Sequence, residues 1–539
     1  MNRYSHLDGP RTAESQPRVE HLRARLPRRT LSRALRLLAL TVLATGVAGA
    51  VSAAPSYAST TTTSFLHYPV KSLDPTCTQT GGRFGERTAS ASVGPNGDAG
   101  ADFNTDGVND VWVAQPFCDI GGNVDQGRVF LLSGADMARG VTTILKTIDS
   151  PIPQANAKFG FFISVIADPN NAAATPNIAI GTDSQDVSAN TDQGIVWVFD
   201  GDPATPSTPL YTINNPKPQA SARFGSRIGN AGLVDADTVP DIIVGASNND
   251  VGANVDQGQA FIFSGATGTL IRTLNQPASS PNDAITNGHF GLSVQSPGDV
   301  TGDGKADQLV DATNFTGGLT NQGRLYLFDG ATGNLVRTID DPAPQASAFF
   351  GFQDVAPQSP GDLNGDKKAE IYANGFLQDA GGVTDSGEAW VFDGATGNLR
   401  STLIDPTPEA GGQFGWSMSK TDYNKPADDI NDLYIGQAPH TSALNHNGGT
   451  YVFDGASTTG SVFKSLELPT QCRQTGTASD NGPALGWTVT TPGNLNAATT
   501  PNTNPDYIAG APFFNRTSTD EGVVLGFMSD EPASTTKAC

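Results

Sequence analysis

Short segments in which apolar and polar residues alternate recur along the chain, and turn-forming residues separate them. The clearest set lies near residue 290, where such segments occupy 292–295, 308–313, 324–328 and 335–339. Gly, Asn and Asp residues fill the intervals between them. Alternation with a period of two and turn residues at each boundary are typical of short antiparallel strands. This part of the chain therefore predicts four β-strands joined by short connections.

Seven copies of this unit follow one another. Each copy opens on the dipeptide Phe-Gly, at Phe84, Phe159, Phe224, Phe290, Phe350 and Phe414, with Leu485 replacing Phe in the seventh. A tripeptide related to Asp-Gln-Gly precedes each third strand and ends at Gly127, Gly194, Gly258, Gly323, Gly387, Gly448 and Gly522. Successive dipeptides are 60 to 75 residues apart. A repeat of this length with four strands per unit predicts an all-β fold, a seven-bladed β-propeller of four-stranded antiparallel blades.

The two ends of the repeat array are complementary. The seventh unit stops after its third strand, near residues 522–528, and has no segment for a fourth strand. Residues 65–74 precede the first Phe-Gly dipeptide in the register that a fourth strand occupies elsewhere. We therefore expect the N-terminal strand of the mature chain to complete the last blade and close the ring, which removes exposed strand edges.

Residues 1–58 differ in composition from the repeats and are typical of an export signal. They contain nine Arg and three acidic residues, then an apolar run at 34–51 and a small-x-small cleavage site at 56–58, with a second option at 51–53. Arg28 and Arg29 resemble a twin-arginine signal. An ordinary secretory signal and an uncleaved anchor are the alternatives. We expect a signal peptide at 1–58, a propeller at 65–530 and a C-terminal tail at 531–539.

The acidic composition indicates which partners the chain can have. The net charge is −22, and without residues 1–58 the chain carries 23 basic and 51 acidic side chains, a net charge of −28. Nucleic-acid binding needs a basic face, so we do not expect nucleic acid to be a partner of this acidic chain. Divalent cations are favoured, because many of the acids fall in one repeated loop. No later segment resembles a membrane span, and we expect a secreted monomer.

The order of motifs within each unit resembles the FG-GAP repeat of the integrin alpha N-terminal propeller, a repeat also found in secreted bacterial proteins. Phe-Gly is followed by an oxygen-rich loop and then by an apolar strand that ends near Gly-Ala-Pro, best kept at Gly510-Ala511-Pro512. The resemblance covers about 65–530. It implies a seven-bladed ring with calcium-binding loops on one face and a partner-binding surface on the other.

In these loops oxygen-bearing side chains occupy positions 1, 3, 5 and 9, and Gly often occupies position 6. Calcium prefers six to eight oxygen ligands, and the resemblance implies that the loops bind it in this layout. The expected ligands are Asp102, Asn104, Asp106 and Asp110 in unit one; Asp299, Thr301, Asp303 and Asp307 in unit four; Asp362, Asn364, Asp366 and Glu370 in unit five; and Asp422, Asn424, Asp428 and Asp432 in unit six.

Some loops depart from this layout. Lys367 replaces the position-6 Gly in unit five, and unit six has two extra residues. Leu233 stands at position 1 of unit three, where we expect weak binding or none, and units two and seven look degraded. The alternative for every loop is a polar Asx-type turn without an ion.

The four cysteines lie after the export signal, at Cys77, Cys118, Cys472 and Cys539. An even number in an exported chain suggests two disulfides. In a four-stranded blade of this type the connections that hold Cys77 and Cys118 fall on one face, so these two residues are expected to pair. A Cys472–Cys539 bond then follows by elimination, but another pairing of the short tail stays open.

Catalytic motifs are missing from the repeats. Only four His residues follow the export signal, and there is no Gly-x-Ser-x-Gly elbow, HExxH helix or phosphate-binding loop. Phe residues in the connections between second and third strands either mark a recognition surface or cap strand ends, and we favour capping. The sequence favours a secreted, calcium-binding module for ligand binding or cell adhesion, with a protein or glycan ligand. The alternative is a propeller hydrolase or lyase that acts on extracellular polysaccharide or lipid, with structural calcium.

Overall fold

The computed structural model describes residues 66–70, 77, 79–90, 102–166, 175–278, 285–352, 359–423, 430–438, 447–468, 474, 482–495, 505–515 and 520–528. These residues form seven antiparallel sheets, one per repeat, and thus confirm a seven-bladed β-propeller. One short helix, α1 (Gly134–Met137), lies in the first repeat, and a 3-10 turn spans Ala380–Gly382 in the fifth. No helix within the described ranges has the length and apolar character needed to cross a membrane.

The strands follow the order of the repeats. Blades one and two contain β2 (Arg87–Ala89), β3 (Val111–Gln115), β4 (Arg128–Leu132), β5 (Ile144–Asp149), β6 (Phe162–Ile166), β7 (Asn177–Thr182), β8 (Ile195–Asp200) and β9 (Pro209–Ile213). Blades three and four contain β10 (Phe224–Gly232), β11 (Asp241–Ala246), β12 (Gln259–Phe263), β13 (Leu270–Leu274), β14 (Phe290–Gly298), β15 (Asp307–Ala312), β16 (Arg324–Phe328) and β17 (Leu335–Asp340).

The remaining blades repeat this order. Blades five and six contain β18 (Ile371–Gly375), β19 (Glu388–Phe392), β20 (Leu399–Ile404), β21 (Phe414–Thr421), β22 (Asp432–Gln437), β23 (Gly449–Phe453) and β24 (Val462–Leu466). Blade seven contains β25 (Thr488–Gly493), β26 (Asp506–Ala511), β27 (Val523–Met528) and, from the other end of the chain, β1 (Leu66–Val70). The described residues give blade five three strands, β18 to β20, and residues 353–358 before them lie outside the described ranges.

The ring closes as the sequence predicts. β1 pairs antiparallel with β27, from Leu66 opposite Met528 to Val70 opposite Val524. The last blade therefore takes its outer strand from the N-terminal side of the repeats, and the closure is confirmed. Because the two chain ends share one sheet, neither end of the repeat array can separate without breaking five residue pairs.

The hydrophobic core lies between neighbouring blades rather than inside any one of them. Seven buried clusters occupy the seven junctions. In the first of these, Trp112 and Leu131 of blade one pack with Ile180 and Trp197 of blade two. Each sheet buries both faces, and this explains why the third strands are apolar at almost every position.

The two recurring sequence signals contact each other across each junction. At the first junction the N–H of Phe159 donates to the carbonyl of Gln126 at 2.7 Å, so Phe-Gly of one blade meets Asp-Gln-Gly of the blade before it. Gly127 has a φ of +89°, and a Cβ there would lie 2.3 Å from the Phe159 carbonyl oxygen. The same bond joins Phe84 to Glu521 at 2.9 Å and closes the ring. We call this contact the blade lock.

A second set of contacts links the blades on the opposite side. A long side chain from the fourth strand of one blade donates to backbone carbonyls in the turn after the third strand of the next. Lys146 donates to Asp202 at 2.7 Å, and Arg272 donates to Gly330 at 2.6 Å. Arg337 and Arg400 do the same in the following blades. We call these bonds the rim contacts.

The face that carries the blade locks also carries a disulfide. Cys77 and Cys118 are bonded, with their Cα atoms 4.9 Å apart, as expected from their connections. Cys472 and Cys539 lie outside the described residues. The Phe side chains of this face are mostly buried, and Phe376 and Phe513 are at most 3% exposed. The Phe side chains described on this face therefore pack at strand ends, as expected, and are mostly withdrawn from solvent.

Candidate metal-binding loops

The expected ligand loops lie at one face, between the first and second strands of each blade. In blade one the loop spans residues 102–110, between β2 and β3, and in blade four it spans 299–307, between β14 and β15. The turns after the third strands fall on the same face. We call this the loop face, and the face of the blade locks the lock face.

The position-9 acid binds the loop to the rest of the blade. In blade four, Asp307 is buried, and one carboxylate oxygen accepts the N–H groups of Val300 and Thr301, both at 2.8 Å. The other oxygen accepts the N–H of Gly330, in the turn after the third strand, at 2.8 Å. A Cβ on Gly330 would lie 2.0 Å from the Ala306 carbonyl oxygen, so only Gly fits there. We call this arrangement the loop latch.

The loop latch recurs in several blades. Asp110 accepts from Gly134 at 3.0 Å, Asp241 accepts from Gly265 at 3.1 Å and Asp432 accepts from Gly455 at 3.0 Å. Burial raises the pKa of Asp110 to about 7, although its backbone donors oppose that shift. Sequence reasoning treated these acids only as metal ligands. The Gly that lies one or two residues past the third strand in blades one to six was the available signal for this second role.

The acids at positions 1 and 5 organise the loop backbone. Asp102 accepts the N–H groups of Asp106 at 3.1 Å and Gly107 at 2.7 Å, and Asp106 accepts that of Val108 at 2.9 Å. In blade four Asp299 accepts from Gly302 at 2.6 Å and from Gly304 at 2.8 Å. These bonds hold the acidic side chains over one short turn, as an oxygen-ligand site requires.

Blade five keeps the loop geometry although Lys367 replaces Gly at position 6 and Glu370 replaces Asp at position 9. Lys367 adopts a φ of +70° where Gly107 has +86°, so the left-handed turn survives without Gly. Glu370 is fully buried, and its Oε2 accepts the N–H of Leu363. Its Oε1 is buried without a hydrogen-bond partner. A buried carboxylate oxygen that lacks a donor fits a cation, so this donor set is compatible with calcium.

Blade six is only partly described. Asp422 and Asp432 are buried, and the N–H of Tyr423 donates to Asp432 at 2.7 Å. The other two expected ligands, Asn424 and Asp428, lie outside the described residues. The structure therefore establishes the loop latch of this blade and leaves its ligand set as a prediction.

Blade three brings its acids closest together. Asp235, Asp237 and Asp241 have ligand oxygens within 4.8 Å of one another, the one such group of three or more among the described His, Cys, Asp and Glu residues. The sequence analysis expected weak binding or none here, because Leu233 occupies position 1. Asp235 and Asp237 each accept one loop N–H at 2.8 Å, and each has a ligand oxygen within 4.8 Å of one from the buried Asp241.

Comparisons with known proteins agree with the fold. No family model matches the chain. Integrin alpha-5 of Xenopus laevis is 25% identical over 255 residues, which cover 46% of this chain and 23% of that protein. Integrin alpha-PS5 of Drosophila melanogaster is 30% identical over 151 residues, which cover 28% of this chain and 14% of that protein. The chain thus matches less than a quarter of the length of either relative.

Together with the seven-bladed ring, these matches support an integrin alpha N-terminal-like propeller. They confirm the resemblance of its repeats to FG-GAP repeats, while its assignment to the secreted bacterial type stays a prediction. Among solved structures, BBS1N in its crystal structure with ARL6DN aligns with 87% of this chain and 98% of its own at 11% identity. Its TM-score of 0.44 is too low to add to the fold assignment.

Proposed function

We propose that the protein is a secreted ligand-binding or adhesion module whose propeller is stabilised by calcium in the loops of the loop face. The observation that carries this proposal is the combination of an integrin-alpha-like ring with oxygen-only donor sets in its loops. Asp102, Asp299 and Asp362 open the three described loops of the expected layout, and the acids of blade three form a further set. Export would depend on the signal expected at residues 1–58.

Calcium has a structural role in this proposal. The loops carry several carboxylates within one short turn, and such groups repel one another when no cation is present. A bound cation would remove that repulsion and hold the first two strands of each blade together. The integrin relatives support a protein ligand, and the net charge of −22 favours a ligand other than nucleic acid.

A metal count on purified protein tests the metal part of the proposal. We expect two to four Ca²⁺ per chain after dialysis against excess calcium, and one fewer in Asp299→Ala. Asp136→Ala is the matched control, because Asp136 is an acid outside the loops, on α1. Protein that retains no calcium, or an Asp299→Ala count equal to that of the wild type, would contradict the assignment of the loops.

The ligand-binding part needs a separate assay. The protein would be immobilised in calcium and exposed to a panel of extracellular matrix proteins and surface glycans. We expect saturable binding to at least one of them that a chelator weakens, because the ring that presents the binding surface loses stability without calcium. A panel without any saturable binder would count against adhesion, and turnover of a glycan on the panel would support a propeller enzyme.

A further inference from the structure

Blade five contains a pair of acids that the loop sites do not use. Asp341 lies in the connection before the blade and is 3% exposed. Glu388 opens β19 and is half-buried. Burial raises the pKa of Glu388 to about 7, and the charge of Asp341 adds to that rise. No Lys, Arg or His among the described residues forms an ion pair with either carboxylate.

Burial raises the pKa of Asp341 to about 6, although the backbone N–H groups of Ala343 and Gln345 oppose that shift. Its Oδ1 accepts the N–H of Ala343 at 2.8 Å, but its Oδ2 is buried without a hydrogen-bond partner. The side-chain amide of Gln378 contacts the turn that follows Asp341, since its Nε2 donates to the Ala343 carbonyl at 2.7 Å. Gln378 is 5% exposed, and its Oε1 also has no partner. Buried oxygens of this kind normally have a donor, a water or a cation.

The neighbouring blade shows how the same position is satisfied without a cation. Asp405 of blade six corresponds to Asp341, and its Oδ2 accepts the side-chain N–H of Gln437 at 2.7 Å. Gln437 is held in turn by the hydroxyl of Tyr451 at 3.1 Å. Blade six therefore places a donor against its buried acid.

Blade five reverses this arrangement through one pair of facing residues. In blade six Gln437 is the cross-strand partner of Gly449, and in blade five Gly375 is the cross-strand partner of Glu388. In blade five the larger residue of this pair lies on the third strand instead of the second. It is the carboxylate of Glu388 instead of the amide of Gln437. Blade five thus has two carboxylates and an amide oxygen where blade six has one carboxylate and its donor.

From this exchange we infer that Asp341, Glu388 and Gln378 form a further cation site, for a hard divalent ion such as calcium, at the junction of blades four and five. Carboxylate and amide oxygens are the ligands that such ions prefer. Glu388 is half-buried, so an ion can enter from solvent. The site shares no residue with the loops of the loop face, and it does not depend on the function proposed above.

The test is the number of Ca²⁺ bound per chain in Glu388→Gln, which keeps the shape of the side chain and removes its charge. We expect one Ca²⁺ fewer than in the wild type, and the same loss in Asp341→Asn. Asp405→Asn is the matched control and should bind as many ions as the wild type. The double variant Glu388→Gln/Asp299→Ala should lose two ions, which separates this site from the loops.

Thermal melting in a chelator shows whether a lost ion reflects unfolding. Glu388→Gln should melt at or above the wild-type temperature, because one of two repelling carboxylates has become neutral. An unchanged ion count in both variants would overturn the inference. An unchanged count together with a melting difference that grows with pH would overturn it too, by showing that the two acids share a proton instead of a cation.

Discussion

On the lock face the same hydrogen bond recurs at all seven junctions, whereas on the loop face the loops differ in their acids from blade to blade. The carbonyl of the middle residue of each Asp-Gln-Gly-type tripeptide accepts the N–H of the first residue of the next Phe-Gly-type dipeptide, and Asn447 accepts from Leu485 in the same way. The loops, in contrast, carry Asp, Asn, Thr, Glu or Leu at corresponding positions. The uniform face builds the ring, and the variable face is where individual blades acquire or lose a site.

The lock face should be the more sensitive of the two to a single methyl group. We expect Gly127→Ala to lower the free energy of unfolding by about 4 kcal/mol, because the new Cβ meets the Phe159 backbone. Gly107→Ala on the loop face has the same left-handed backbone, with no atom within 4 Å of the new Cβ. It should cost only about 1 kcal/mol. Denaturant unfolding measures both, and equal losses would contradict the blade lock.

A buried acid near the lock face should make stability depend on pH. Burial raises the pKa of Asp311 to about 7 from its ordinary 3.8, although Thr313 and Ser293 donate to it and Arg227 is nearby. Ionised Asp311 therefore costs stability above pH 7, and this cost disappears as the pH falls below 4.

Asp311→Asn should remove that dependence. Asn can accept from Ser293 and donate to Thr313, so the contacts survive without the charge. We compare the free energy of unfolding of the variant with that of the wild type. The variant's advantage should be larger at pH 8 than at pH 4 by on the order of 3 kcal/mol. Denaturant unfolding at the two pH values measures this difference. A difference that is independent of pH, or that is larger at pH 4, would show that the carboxylate is ionised at little cost.

On the loop face, position 9 should behave differently from position 5. In a chelator, Asp307→Asn should cost about 2 kcal/mol, because a buried acceptor of three N–H groups loses one of them. Asp303→Asn should cost almost nothing, since Asp303 is exposed and accepts one N–H, from Lys305. Calcium should stabilise both variants less than it stabilises the wild type. Equal behaviour in the chelator would argue against the loop latch.

The rim contacts should have the smallest effect. Arg272→Met removes the bonds to the Gly330 and Ala331 carbonyls while keeping an apolar stem, and we expect a loss of about 1 kcal/mol. Arg139→Met is the control, because Arg139 is 60% exposed. It should change the free energy of unfolding by less than about 0.5 kcal/mol. If Arg272→Met loses no more stability than Arg139→Met, the rim contacts do not stabilise the ring.

The sequence predicts the ring well because its signals are local. The third strand at Arg324–Phe328 and the fourth from Leu335 are confirmed to within one residue, since alternation and turn residues specify them directly. The loop latch and the rim contacts were not predicted. They join residues that are far apart along the chain, as with Arg272 and Gly330, and no periodic pattern reports such pairs. The close approach of the acids in blade three was not predicted either. Leu233 at position 1 argued against a site, and the sequence does not show how near the acids at positions 3, 5 and 9 lie to one another.

The measurement that tests the account most directly is a thermal melt of the protein in excess calcium and again in a chelator. If several loops of the loop face bind calcium in the folded chain only, the melting temperature should rise by on the order of 5 °C or more in calcium. The variants Asp299→Ala and Asp102→Ala should each reduce that rise. Identical melting temperatures in calcium and chelator would contradict the central claim, and the propeller would then depend on its packing, blade locks and disulfide alone.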